Sequence, residues 1–337
     1  MSEINYRLAT EEDIDSLLEI YNRLYQTNRS EDEFRWEFRD CPHGEGFHVI
    51  AESNGKVVGM QAIIPLRFRN EKGEVLTGKS EDTLVDPSQR GKGIFEGMYQ
   101  LVFSECRMRG IQFIWGYTKA IKPFKRIGFS IPFHHGQSLA VFKPGRAAKY
   151  LSALDTLAST TKKLKVNALA WASFLKQRFK RSTFKVQEAL VTVNEPFSTA
   201  LELDQDDAFM QWRFVHSPMD VKHKIIVVQN GDRRVAKFWC MIKSSGVIFI
   251  EHRVFFSSSE SECTNTLIAL KSYLQAKGNL VRDWTFPLSP DNAFYLAVLK
   301  KAGFIHLTHG ISFVFHPLDS NIQASDLKLT RLSTEGV

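Results

Sequence analysis

Cysteine is scarce in this chain of 337 residues: Cys41, Cys106, Cys240 and Cys263 lie far apart, and no C-x-x-C pair occurs. That spacing offers neither a zinc ligand set nor a disulfide framework, and the four are expected to be plain buried thiols in a protein without a metal. No apolar run approaches the roughly 18 residues of a membrane span. The first residues, Met1-Ser-Glu-Ile-Asn-Tyr-Arg7, contain no apolar signal region, so a cytoplasmic location is expected. Two phosphate-binding signatures are also missing. G-x-x-x-x-G-K-[ST] does not occur, and G-x-G-x-x-G fails because Gly97 comes one residue late after Gly91 and Gly93. Where an acidic ribose ligand would then be needed, the chain has Arg107 and Arg109.

Acidic residues are nearly absent from one stretch. From Lys143 to Arg181 ten Lys or Arg stand against Asp155 alone, an excess of nine, so the rest of this +7 chain carries about −2. A nucleic-acid binder would spread its excess over a folded face, and no specific nucleic-acid partner is expected. Within the stretch Leu164, Ala168, Trp171 and Leu175 recur at i, i+4, i+7 and i+11, which predicts an amphipathic helix. Lys162, Lys163, Lys165, Lys176, Arg178, Lys180 and Arg181 accompany it. One reading is a connecting helix whose apolar stripe docks on a domain; the other is weak contact with an anionic membrane surface.

What is present is more specific. Thr83-Leu-Val-Asp-Pro-Ser-Gln-Arg-Gly-Lys-Gly-Ile-Phe95 runs from an apolar strand end through a Pro turn into Arg90-Gly-Lys-Gly93 and a helix. Gly91 and Gly93 lack the Cβ atoms that would hold an anion off the backbone, and the helix start offers unpaired N–H groups. Arg90 and Lys92 add positive charge and donors. The segment is predicted to cradle a phosphate.

The chain also repeats once. Trp36-Glu-Phe-Arg-Asp-Cys-Pro42 matches Trp212-Arg-Phe-Val-His-Ser-Pro218, an Asn-Gly turn follows each Trp by 18 residues, and Gly128-Phe129 and Gly303-Phe304 follow by 92 and 91. Three landmarks at a period near 175 predict a tandem duplication, and at 43% apolar the chain can bury two cores. In the first half Asn5 to Ala9 reads as a strand, Thr10 to Asp13 as a capping box opening a helix, and Ser30 as the cap of a second helix. Gln112 to Tyr117 reads as a buried strand. A shift of 175 carries the phosphate loop onto Asn265 to Ile268, which has no glycine or basic residue, so the second half is expected to bind no nucleotide. Ser257 to Glu262 is expected to be an exposed loop, and the chain after Leu318 a poorly ordered tail.

Arg90, Gly93 and position 95 resemble the R-x-x-G-x-[GA] acyl-CoA loop of the GNAT acetyltransferases, with Phe95 where Gly or Ala is usual, and the order of elements over residues 3 to 142 is similar to a GNAT domain. The resemblance implies an α/β (α+β) chain of two tandem GNAT-like domains, each with a mixed, mostly antiparallel central sheet flanked by helices. Residues 1–145 would be the domain with the acyl-CoA loop, 146–182 a helical connector, 183–320 a degenerate domain and 321–337 a tail. It implies acetyl-CoA as acyl donor, held by Leu84, Val85, Arg90, Gly91, Lys92, Gly93, Ile94, Phe95 and Thr118. The acceptor would be a primary amine of a small molecule, an amino sugar among the candidates; a peptide or protein amine is equally compatible, and an acyl group longer than acetyl stays open. Glu81 or Asp82 would be general base; adjacent strand residues face opposite ways, so only one could serve. The family's general-acid Tyr falls at Phe124 (Leu299 in the second half), leaving Tyr117, Thr118 or Lys119 as proton donors. His134 and His135 read as structural. Phe124 equally suits a non-catalytic acyl-CoA-binding protein. A Fem-type aminoacyl transferase, which also pairs two such halves, would have no use for the retained loop.

Overall fold

The computed structural model describes residues 3–154, 160–177, 180–189, 199–288, 291–307, 311–318 and 321–334; Arg178 lies outside them. No helix among these residues is long and apolar enough to cross a membrane.

The first half begins with β1 (Asn5–Leu8). Thr10 and Asp13 form the expected capping box around a short 3-10 turn that opens α1 (Ile14–Tyr25), and Ser30 with Glu33 forms another at α2 (Glu31–Phe38). Next come β2 (Phe47–Ser53), β3 (Lys56–Asn70) and β4 (Gly73–Val85). Asn54 and Gly55 both have positive φ, as a two-residue hairpin turn requires. The half continues through α3 (Ile94–Met108), β5 (Phe113–Thr118) and α4 (Ile121–Arg126) to Gly128, whose φ of 92° ends α4 while Phe129 N donates to Phe124 O at 3.1 Å. β6 (Gly136–Val141), α5 (Pro144–Leu154), α6 (Thr160–Gln177) and β7 (Lys185–Ala189) lead into the second half.

That half repeats the order. β8 (Leu201–Leu203) and α7 (Asp207–Phe214) precede β9 (Val221–Asn230), β10 (Arg233–Lys243) and β11 (Val247–Phe255). The β9–β10 hairpin turns on Gly231-Asp232, one residue later than the Asn-Gly reading, because Asn230 is itself paired with Arg233. α8 (Glu260–Leu274), β12 (Leu280–Thr285) and α9 (Asn292–Lys301) follow, and Gly303 at φ 97° repeats the Gly128 stop. The chain closes with β13 (Ile305–Leu307), β14 (Ser312–Pro317), β15 (Leu327–Lys328) and α10 (Arg331–Thr334).

The sheets cross the boundary drawn from the sequence. One runs β1-β2-β3-β4-β5-β14, with β8 on β3 and β15 on β8; the other runs β13-β6-β12-β11-β10-β9-β7. Thus β14, from the far end of the chain, completes the first sheet by pairing Phe313 with Tyr117 and Phe315 with Trp115. β6, from the first half, lies between β12 and β13. Each half lends the other its closing strand.

The stretch after residue 320 is also packed, contrary to the sequence reading: Leu327, Leu329, Arg331 and Leu332 are buried. A two-residue strand and a four-residue helix are too short for any periodicity to reveal. Arg331 lies over the Phe249 ring at 3.8 Å and donates to Glu251 at 3.3 Å.

The shared core lies between the sheets, and Trp36 and Trp212 are at its centre. Trp36 Nε1 donates to the Trp212 carbonyl at 3.0 Å and Trp212 Nε1 to the Trp36 carbonyl at 2.8 Å, with the rings stacked at 5.1 Å. Such reciprocal contacts are what a two-fold interface makes, here within one chain. α3 and α4 cover the outer face of the first sheet, and α8 and α9 that of the second.

α6 departs from the docked-stripe reading. It packs through Val166, Ala170 and Ser173, whose hydroxyl accepts from Val141 N at 3.0 Å. Leu164, Ala168, Trp171 and Leu175 are exposed on the other side.

Candidate active site

β4 carries one residue more than β3 opposite it. Glu81 pairs with Ala62 and Leu84 with Met60, so Asp82 and Thr83 together face Gln61, and Asp82 takes φ 46°. A bulge bends its strand and breaks the alternation of faces. β4 and β5 are paired only from Gly78/Ile114 to Ser80/Gly116, after which the two parallel strands splay.

The outer side of this wedge is a cavity of about 520 Å3. Of the predicted cofactor residues Val85, Arg90, Gly91, Gly93, Ile94, Phe95 and Thr118 line it; Thr83, Gln89, Glu96, Ala120, Pro123, Phe124 and Arg126 complete it. Leu84 does not line it, being turned into the shared core by the bulge, nor does Lys92, whose Nζ donates to Gln89 Oε1 at 2.7 Å. Gly91 and Gly93 have φ of 81° and 74°, and a Cβ on either would meet nothing within 4 Å, so the loop's inner surface is open backbone beneath the α3 N-terminus. Asp86 accepts from Ser88 N at 2.9 Å and from Arg23, and Arg90 Nε donates to Val85 O at 3.3 Å; these bonds shape the turn. The residues present fit the pyrophosphate and pantetheine of a coenzyme A thioester. Pro123 and Arg126, missed in the sequence, arrive because α4 faces the wedge; Arg126 also pairs with Glu96 at 2.7 Å.

The wedge closes at Ser80 and Gly116, where a Cβ on Gly116 would lie 2.9 Å from the Ser80 carbonyl. Beyond is solid packing. Tyr99 shares a hydrogen bond of 2.8 Å with Ser80 and its ring packs against Phe95, Phe124 and Phe129. Phe124 is therefore a buried aromatic wall, with no proton to give. Thr118 accepts from Ala120 N at 2.9 Å, which leaves its O–H to donate.

Across β4 lies a charged cluster. Asp82 accepts from Arg29 at 2.5 Å, Glu37 pairs with the same guanidinium at 3.1 Å, and Arg29 covers the Tyr21 ring at 3.7 Å. Lys79, almost fully buried, pairs with Glu81 at 2.5 Å. Because of the bulge, Glu81 and Asp82 both act on this cluster, correcting the opposite-faces expectation. Burial raises the carboxyls of Asp82 and Glu37 above the ordinary range; Arg29, shared between them, opposes the rise, and their mutual repulsion and that of Glu81 add to it. A second cavity of about 290 Å3, lined by Tyr21, Arg29, Trp36 and Glu37 among others, opens toward Met219 of the second half.

Tyr117 lies on this inner side too, among His135, Trp284 and Phe313, and its buried hydroxyl has no hydrogen-bond partner among the described residues. Burial pushes it well above the usual tyrosine range. His134 bonds Ser312 at 2.9 Å and His135 stacks on Trp284 at 4.1 Å, both holding β14 or β12 in place.

His43, Asp204 and Asp206 cluster closely enough to suggest a metal site. The chemistry is that of an ion-pair network instead. Arg67 pairs with both carboxylates and Arg69 with Asp204, and His43 Nδ1 accepts from Arg67 N at 3.1 Å, which puts the ring proton on Nε2 facing Asp206.

In the second half the bulge recurs at Glu251 and the wedge is filled. Arg253 lies 3.5 Å over the Tyr295 ring and 3.7 Å from Asp283, to which the Tyr295 hydroxyl donates. The segment matching the phosphate loop is Phe256 to Ser259, not Asn265 to Ile268, which lies inside α8. Ser259 caps that helix and Glu260 and Glu262 occupy its first turn, which repels an anion and revises the exposed-loop reading.

Residues 5–131 match the family model of the acetyltransferase (GNAT) domain. The whole has the fold of tandem GNAT proteins. It is similar to a GCN5-related N-acetyltransferase from Anabaena variabilis (TM-score 0.62, 11% identity, 94% of this chain and 73% of that one). It is likewise similar to a tandem GNAT protein from the clavulanic acid biosynthesis pathway (0.54, 11%, 95% and 100%). A third match is Saccharomyces cerevisiae N-myristoyltransferase with bound myristoyl-CoA (0.57, 11%, 94% and 78%). No curated protein is significantly similar in sequence.

Proposed function

We propose that the chain is an N-acetyltransferase that takes acetyl-CoA in the wedge of its first half and passes the acetyl group to a primary amine of a small molecule. The observation that carries this is the splay of β4 from β5 directly above the open Gly91 and Gly93 backbone. A short acyl group is favoured by the close approach of Ser80 and Gly116 and by the Tyr99 and Phe124 rings packed behind them. The amine enters from the inner side, where Glu37, Glu81 and Asp82 attract an ammonium ion. The ammonium first gives one proton to Asp82, whose carboxyl is raised toward the pH of use, and the free amine then attacks the thioester carbonyl. The zwitterionic tetrahedral intermediate expels the CoA thiolate, which takes up the second proton from the nitrogen while the Thr118 O–H hydrogen-bonds the sulfur in place of the tyrosine that Phe124 replaces, and Asp82 returns its proton to solvent. An amino sugar remains the acceptor suggested by resemblance alone.

The test is acetyl-CoA turnover over a panel of amines, comparing wild type with Arg90→Ala. Loss of turnover in the variant with a rise in KM for acetyl-CoA is expected. Binding of CoA without turnover of any amine would support the non-catalytic reading that Phe124 favours.

A further inference from the structure

α6 presents its large side chains to solvent. Leu164 is 68% exposed, Trp171 53% and Leu175 53%, and Ala168 is exposed between them. At about 100° per residue these four fall within roughly 60° of one another, and the docked Val166, Ala170 and Ser173 lie on the far side. A helix that served only to connect would turn its largest apolar groups inward and its small ones outward; α6 does the reverse. The packing of this helix is made by Val166, Ala170 and Ser173, leaving Leu, Trp and Leu in a continuous ridge.

Charge says what covers that ridge. Lys165 and Lys176 are exposed beside it, and Arg146 and Lys149 of the neighbouring α5 are exposed as well. Between Lys143 and Arg181 the single acid is Asp155, so the excess of nine meets almost no internal compensation, while the rest of the chain is slightly acidic. An acidic protein would match the charge, but a ridge of one indole and two leucines that all stand more than half exposed suits a fluid interface better than a shaped one. We infer that α6 is a surface anchor that lies on an anionic lipid bilayer, its Leu164/Trp171/Leu175 ridge in the headgroup region and its lysines against lipid phosphates. The chain would then acylate amines at a membrane surface without crossing it.

Co-sedimentation with vesicles tests this, using phosphatidylcholine alone and phosphatidylcholine mixed with phosphatidylglycerol, for wild type, Trp171→Glu with Leu175→Glu, and Lys165→Glu with Lys176→Glu. Wild type should pellet with the anionic vesicles and not with the neutral ones, and either double variant should bind at least about tenfold more weakly. Circular dichroism and solution turnover should be unchanged, since none of these residues touches the wedge. Equal pelleting of all three proteins, or none of wild type at low salt, overturns the proposal. So does a wild-type dimer in light scattering that Trp171→Glu with Leu175→Glu dissociates, because the ridge would then cover a second copy.

Discussion

Asp82 is the general base in the proposed reaction, and its environment makes a prediction about pH. A base acts when deprotonated, and burial with neighbouring carboxylates holds its proton to a higher pH than an ordinary aspartate would. We expect kcat/KM to climb with pH through a midpoint above the usual carboxylate range. Asp82→Asn should lower kcat about a hundredfold or more while acetyl-CoA binding persists. Glu81→Gln should cost less, because Asp82, not Glu81, sits in the bulge beside Thr83 where β4 parts from β5. The reverse order of the two variants would transfer the role to Glu81. Phe124 was legible as a missing acid from the sequence alone. The face each acid takes was not, because a bulge at a non-glycine residue leaves no mark in a pattern of alternation.

At the scale of elements, the exchange of β6 and β14 has the largest consequence. Residues 1–145 expressed alone would keep every wedge residue but lose β14, leaving the edge of β5 beside Trp115 and Tyr117 unpaired. That fragment is predicted to be insoluble or oligomeric, and to regain a monomeric state when β14 is fused after residue 131 by a flexible linker. A soluble, monomeric fragment without β14 would show the exchange to be dispensable. Helices, hairpins and the phosphate loop could be read in the sequence because each is specified by neighbours: Thr10 with Asp13, Asn54 with Gly55, Gly91 with Gly93. Which sheet a closing strand joins is set by contacts 139 to 204 residues apart, and local periodicity carries no trace of them. The same reason hid the packed tail, where Arg331 meets Glu251. The repeat was visible at its landmarks, yet a fixed shift of 175 misplaced the phosphate-loop counterpart because the β3–β4 hairpin is longer than β10–β11.

For the molecule as a whole, the two Trp residues join halves that share an order of elements and differ at the wedge. Trp36→Phe or Trp212→Phe would leave one buried carbonyl without its donor, at a cost of about 1–3 kcal/mol each. Urea unfolding of the single and double variants should give a non-additive cycle, since the rings stack on one another. Additive losses would mean that the two bonds act independently. The central claim is asymmetry: one half binds the cofactor, while in the other Tyr295 and Arg253 fill the equivalent wedge and Glu260 and Glu262 guard the helix start. Titration calorimetry with acetyl-CoA on wild type, Arg90→Ala and Gly93→Asp tests it most directly. One site per chain, weakened in both variants, is the predicted result; two sites per chain, or binding indifferent to Arg90 and Gly93, would contradict it.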